Sequence, residues 1–279
     1  MTLESWDLGR FTVSCRVSGE GTPVAFLHSG PGSAADWRAV FERFAAGYRL
    51  LAVNGFGQGQ TSDWPPGEVH VDQYVELVVG LVRELGESVH LVGHSYGGAV
   101  ALRMVSTWPD LVRSLTVVEP QAYPLLRDGD PQMLAEVTRV AERFACAVDE
   151  GQLEDAWRGF IDHYNGEGSW SALPDATRER MLRISDAAVR AWTALLANPI
   201  TVSDLTRIRV STLVVQGSQT TAPERRLCEI VAERVPEARQ VLIEGAGHMV
   251  PLTHPAGMAE ALAAHVRSLD ARPAPPGRG

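Results

Sequence analysis

Short, predominantly apolar runs recur along the chain at residues 24–27, 50–53, 89–92, 115–118, 212–215 and 241–243, with helix-spaced segments between most of them. Continuous rather than alternating hydrophobicity predicts strands buried on both faces. Strands alternating with helices predict an α/β fold with a mostly parallel central sheet flanked by helices. Upstream, Phe11, Val13, Cys15 and Val17 alternate with Thr12, Ser14 and Arg16, the period of a half-buried antiparallel or edge strand. Ser33 can cap a helix on which Trp37, Val40, Phe41 and Phe44 share one face, and Pro109 ends a helix that begins near Tyr96.

The rhythm breaks across residues 121–207. Apolar residues there keep helical spacing only: Leu134, Val137, Val140 and Phe144; then Leu153, Trp157, Phe160 and Ile161; then Met181, Ile184, Ala188, Trp192 and Leu195. A helical insertion between two core strands reads as a cap over the carboxyl edge of the sheet, where open α/β sheets place their ligands. The expected organisation is a core from residues 1–120 and 208–270, a cap at 121–207, and a disordered, proline-rich tail at 271–279. The 279 residues suffice for one large core carrying such a lid.

Composition excludes several function classes. Asp and Glu number 34 against 25 basic residues, all of them arginine, for a net charge of −9, which argues against a phosphate-tracking surface and hence against nucleic-acid partners. Cys15, Cys146 and Cys228 are odd in number and far apart, so no disulfide framework or CxxC site is implied. The first ten residues carry Glu4 and Asp7 without an apolar core, and no stretch has the length of a membrane span. A cytoplasmic protein without membrane partners is expected, its oligomeric state open.

Gly93-His94-Ser95-Tyr96-Gly97 directly follows one apolar run and directly precedes a helix. This is the G-x-S-x-G nucleophile elbow in the setting it requires: small flanking residues permit a strained strand-to-helix turn, and the helix N-terminus favours developing negative charge. His248 stands in Glu244-Gly245-Ala246-Gly247-His248, a glycine loop after the last strand run, from which an imidazole can reach such a serine. His94, inside the elbow, is expected to pack or hydrogen-bond rather than catalyse. His90 and His94 on a strand and turn do not share one face, so no metal site follows.

With these residues the sequence resembles the α/β-hydrolase superfamily over nearly the whole chain, from Phe11 to Asp270. The resemblance implies that His28-Ser29-Gly30-Pro31-Gly32 supplies an oxyanion-hole N–H from Gly30 and that Tyr96 supplies the second, although Ser29 replaces the usual glycine. Asn54-Gly55-Phe56-Gly57-Gln58-Gly59-Gln60-Thr61 looks like the family's structural D-x-x-G-x-G-x-S turn, and its glycine spacing fails as a dinucleotide fingerprint. Where the family commonly has an aspartate after the seventh strand, this chain has Thr220. Some members place the acid one strand earlier, where Glu119 stands, so Ser95, Glu119 and His248 form the expected triad, with a Ser–His dyad as the alternative. Trp157, Trp192 and Tyr164, with Trp170 and Phe144, are candidates for the substrate pocket or for packing. Arg127, Arg139 and Arg158 are expected to be solvated. No metal or organic cofactor is implied.

The expected chemistry is hydrolysis of an ester or thioester of a small, largely apolar substrate through an acyl-enzyme on Ser95. The histidine-serine-glycine-proline loop is also similar to those of proline iminopeptidases and meta-cleavage-product hydrolases, which makes carbon–carbon bond hydrolysis the alternative. A non-hydrolytic lyase, perhydrolase or ligand-binding member of the fold stays open as well. Epoxide hydrolases and haloalkane dehalogenases need Asp at the position of Ser95.

Overall fold

The computed structural model describes residues 1–44 and 46–270; the expected tail, 271–279, lies outside the described residues. Its eight strands, β1 (Thr2–Asp7), β2 (Thr12–Ser18), β3 (Thr22–Leu27), β4 (Tyr48–Val53), β5 (Val89–His94), β6 (Val112–Val118), β7 (Ser211–Gly217) and β8 (Arg239–Ile243), form one sheet in the order β1-β2-β4-β3-β5-β6-β7-β8. β1 pairs antiparallel with β2 and β2 antiparallel with β4, and every pairing from β4 onward is parallel.

The apolar runs are continuous because successive residues of each inner strand face different cores. Ala25, Leu27, Leu51, Val53, Leu91, Leu115 and Val117 belong to one buried cluster with residues of the helices Val71–Leu85 and Tyr96–Thr107. Their neighbours Val24, Phe26, Leu50, Ala52, Val92 and Val118 belong to the other, with Trp37, Phe41, Met258 and Leu262. Side chains alternate across a strand, so two apolar faces require an unbroken run.

One local expectation is narrowed and three change. The strand around residues 12–18 is antiparallel but internal, because β1, with no continuous apolar run, covers its outer side. The run at 241–243 forms the sheet's edge, with Leu242 54% exposed, and is not buried on both faces. The helix capped by Ser33 is a 3-10 turn, Ala34–Trp37, continuing as Arg38–Phe41, so Phe44 lies beyond it. The pattern from Met181 to Leu195 is split at Ile184 into the helices Asp175–Arg183 and Ser185–Leu196. Between β6 and β7 the described residues hold helices and turns and no strand, the longest being Pro131–Asp149 and Leu153–Asn165.

Candidate active site

β3 and β5 are neighbours, and the strand order changes direction there, β4 lying on the far side of β3. Open α/β sheets bind ligands beyond the carboxyl ends of their strands at such a point. The His28-to-Gly32 loop leaves β3 and the Ser95 turn leaves β5, so strand order alone brings both segments together.

Ser95 sits at φ 56°, ψ −115°, a left-handed backbone that a side chain adopts at a cost of roughly 1–3 kcal/mol. The turn is held by the Ser95 N–H donating to Val118 O at 2.9 Å, while Ser95 O accepts from the N–H groups of Ala99 and Gln121 at 3.1 Å. The flanking glycines are required by close approach: a Cβ on Gly93 would meet Gly97 O at 2.3 Å, and one on Gly97 would meet Leu27 O at 2.5 Å.

His248 Nε2 lies 3.0 Å from Ser95 Oγ, and His248 Nδ1 lies 2.8 Å from Glu119 Oε2. All three residues are buried. Glu119 also has a positive φ, 45°, and its N–H donates to Val215 O at 3.1 Å, which anchors the end of β6 against β7. Its Oε1 accepts from Gly217 N–H at 2.8 Å and its Oε2 from Thr220 Oγ1 at 2.5 Å. Thr220 therefore supports the carboxylate on the neighbouring strand from the position where a carboxylate of its own was absent. Burial acts to lower the His248 pKa, but the hydrogen bond and charge of Glu119, with a further contribution from Glu224, outweigh it and hold the imidazole above the ordinary histidine value.

The two other buried histidines of this region brace loops. His94 Nε2 donates to the His248 carbonyl at 2.9 Å, and burial, assisted by the neighbouring His248, pushes its pKa down to about 3. His28 Nδ1 donates to Ser29 O at 2.6 Å and its Nε2 accepts from Gly55 N–H at 3.1 Å, a neutral tautomer that agrees with its burial-lowered pKa. The Asn54 segment is a turn: Asn54 Nδ2 donates to Ser14 Oγ at 2.9 Å and Thr61 Oγ1 to Asn54 O at 3.1 Å.

Ser95 and His248 open onto a cavity of about 450 Å³. Gly30 and Tyr96 line it beside Ser95, and a Cβ on Gly30 would lie 3.7 Å from Tyr96 Cβ. Among the described residues, neither backbone N–H has a protein acceptor, so both are free to donate to a substrate oxygen. Trp157, Trp192, Tyr164 and Phe144 line the cavity from the helical segment, whereas Trp170 is buried away from it. Sequence reasoning missed Arg180 and Asp36. Arg180 lines the cavity and donates to Pro31 O at 2.7 Å, tying the helix Asp175–Arg183 to the loop after β3. Its only sequence signal was a position on a charged helix, indistinguishable from that of Arg158, which is exposed and paired with Asp155.

Cys15 and Cys228 are buried and Cys146 is exposed, all free. No group of metal-binding residues and no helix long and apolar enough to cross a membrane occurs among the described residues.

A serine hydroxyl, an imidazole and a carboxylate in one hydrogen-bonded line, beside two free N–H donors, can move a proton and hold an oxyanion. Residues 24–261 match the model of the alpha/beta hydrolase family, and the chain is a hydrolase of that family. It is 26% identical over 268 residues to 2-hydroxymuconate semialdehyde hydrolase of Pseudomonas sp. strain CF600, covering 91% of this chain and 90% of that one. It is 27% identical over 258 residues to the pimeloyl-[acyl-carrier protein] methyl ester esterase of Aeromonas salmonicida, covering 88% and 95%. The crystal structure of a hydrolase from Pseudomonas aeruginosa PA01 superposes with a TM-score of 0.77 at 19% identity, covering 95% of this chain and 98% of that chain.

Proposed function

We propose that the chain is a serine hydrolase that cleaves an ester or thioester of a small, largely apolar acid through an acyl-enzyme on Ser95. The observation that carries this reading is the line Ser95 Oγ, His248 Nε2, His248 Nδ1, Glu119 Oε2, with steps of 3.0 and 2.8 Å, opening onto an aromatic-lined cavity. His248 takes the Ser95 proton as the hydroxyl oxygen attacks the carbonyl carbon, and Glu119 holds the ring and stabilises the imidazolium. The N–H groups of Gly30 and Tyr96 hold the oxyanion, each worth roughly 3 kcal/mol in such a site. His248 then returns the proton to the leaving alcohol or thiol, and water repeats the attack on the acyl-enzyme. Residues 121–207 act as the cap that supplies Trp157, Trp192 and Tyr164 to the substrate.

One observation favours a second reading, hydrolysis of a carbon–carbon bond in an acidic ring-cleavage product. Arg180 puts a cation into a mainly apolar lining that also holds the carboxylate of Asp36, and such substrates carry a carboxylate. The relative that hydrolyses 2-hydroxymuconate semialdehyde is in keeping with it.

Intact mass after treatment with a fluorophosphonate, with p-nitrophenyl butyrate turnover alongside, tests both. One adduct in the wild type and none in Ser95→Ala supports the serine nucleophile; no adduct and no turnover would sink it. Arg180→Met separates the two substrates: loss of activity confined to carboxylate-bearing substrates supports the second, and equal effects on neutral esters oppose it.

A further inference from the structure

Glu224, on the helix Ala222–Arg234, is a carboxylate with no exposed surface that the proposed chemistry does not use. Its Oε1 accepts from Tyr123 Oη at 2.9 Å, and its Oε2 accepts from the Thr221 hydroxyl. Tyr123 Oη lies 2.8 Å from Tyr164 Oη. Each phenol has one proton and a carboxylate has none to offer, so the order of donation is settled: Tyr123 donates to Glu224, and Tyr164 donates to Tyr123. Both protons point away from the cavity, towards the buried charge.

The far end of this chain meets the candidate base. The ring of Tyr164 lies against that of His248, with centroids 5.2 Å apart and planes inclined at 37°. On the other side Trp192 stacks on Tyr123 at 5.5 Å, nearly parallel. Five segments distant in sequence are thereby joined, and a tyrosine on the helix Leu153–Asn165 is held over the imidazole by a charge on the helix Ala222–Arg234.

We propose that Glu224 is a positioning residue for His248, reaching it through Tyr123 and Tyr164 and ordering their hydroxyl protons. This deepens, and rests on, the serine-hydrolase reading. Two consequences follow. The ring of Tyr164 is kept from rotating off His248, and a second buried negative charge favours the imidazolium that forms during attack. The ionisable groups facing His248 are Glu119 from the end of β6, His94 from the elbow, Tyr164 from its helix and, behind the tyrosines, Glu224; the two carboxylates act in the same direction on its proton affinity.

The test is kcat/KM against pH for the full chain with p-nitrophenyl butyrate. The rate rises with pH as His248 loses its proton. Glu224→Gln, which keeps shape and an acceptor for Tyr123, is expected to move that rise downward on the order of half a pH unit, because one negative charge near the imidazole is gone. An unmoved rise, even with a lower melting temperature, overturns the proposal. Tyr164→Phe keeps the ring and removes only its tether, and covers the case in which Glu224→Gln does not fold. It is expected to lower kcat several-fold with KM unchanged, and an unchanged kcat overturns the proposal equally. A wild type that takes no fluorophosphonate and cleaves no ester defeats the serine-hydrolase reading and this inference together, whereas a labelled, active wild type with an unmoved rise in Glu224→Gln defeats the inference alone.

Discussion

The elbow and the helical segment between β6 and β7 contribute to the same cavity by different means. Around Ser95 the geometry is carried by backbone: a positive φ, main-chain bonds to Val118, Ala99 and Gln121, and glycines pressed against carbonyl oxygens. In the helical segment it is carried by side chains, Trp157 and Tyr164 from one helix and Arg180 and Trp192 from two others. Backbone-built geometry tolerates almost no change in residue type, while side-chain-built geometry can be rewritten one position at a time.

The largest expected effect breaks the chemistry at the backbone-built centre. Ser95→Ala should lower turnover of p-nitrophenyl butyrate by about 10⁴-fold or more while leaving the melting temperature near that of the wild type. Glu119→Gln should cost roughly 10³–10⁴-fold in kcat, since the neutral amide cannot stabilise the imidazolium. Near wild-type turnover in that variant would point to the dyad instead.

Glycine substitutions sharpen the contrast in stability. Gly97→Ala would force a Cβ to within 2.5 Å of Leu27 O and should destabilise the chain by several kcal/mol, read as a lower urea midpoint or loss of soluble protein. Gly159, on the helix Leu153–Asn165, has nothing within 4 Å of an added Cβ, so Gly159→Ala should instead stabilise by about 0.5–1 kcal/mol, the smallest effect in the series. Similar responses at the two sites would erase the distinction.

Between these lies a pH effect. His94 has a folded-state pKa lowered from 6.5 to about 3, so below pH 6.5 the unfolded chain takes up a proton that the folded chain refuses. Stability therefore falls as pH drops through the window from 6.5 towards 3, by about 2 kcal/mol at pH 5 from this residue alone. His248, with a raised pKa, contributes in the opposite sense: its share is present below the unfolded value and is lost as pH rises through the folded value. Urea midpoints at pH 7 and pH 5 for the wild type and His94→Gln check the first term. An equal pH dependence in both proteins would refute it.

Much of the candidate site was legible because its signals are local. A strand run, two glycines, a serine and a helix lie within a dozen residues, and the His248 loop is equally compact. The Tyr123–Glu224 bond joins positions 101 residues apart, and the bond from Arg180 to the Pro31 carbonyl spans 149. No periodicity reports such pairings. The split at Ile184 escaped for another reason: the apolar stripe continues in register across it, so a break in the backbone left the pattern intact.

What the amino-acid order determined by itself was the α/β alternation and the serine turn, since hydrophobic period and glycine placement act through neighbours in the chain. How Glu119 is held beneath His248, and which aromatic rings face the cavity, was decided only in three dimensions. Glu119 follows β6 and Thr220 follows β7, strands that become neighbours only when the sheet closes around the helical segment between them. Only then can the hydroxyl of one bond to the carboxylate of the other, beneath an imidazole carried on the loop after β8.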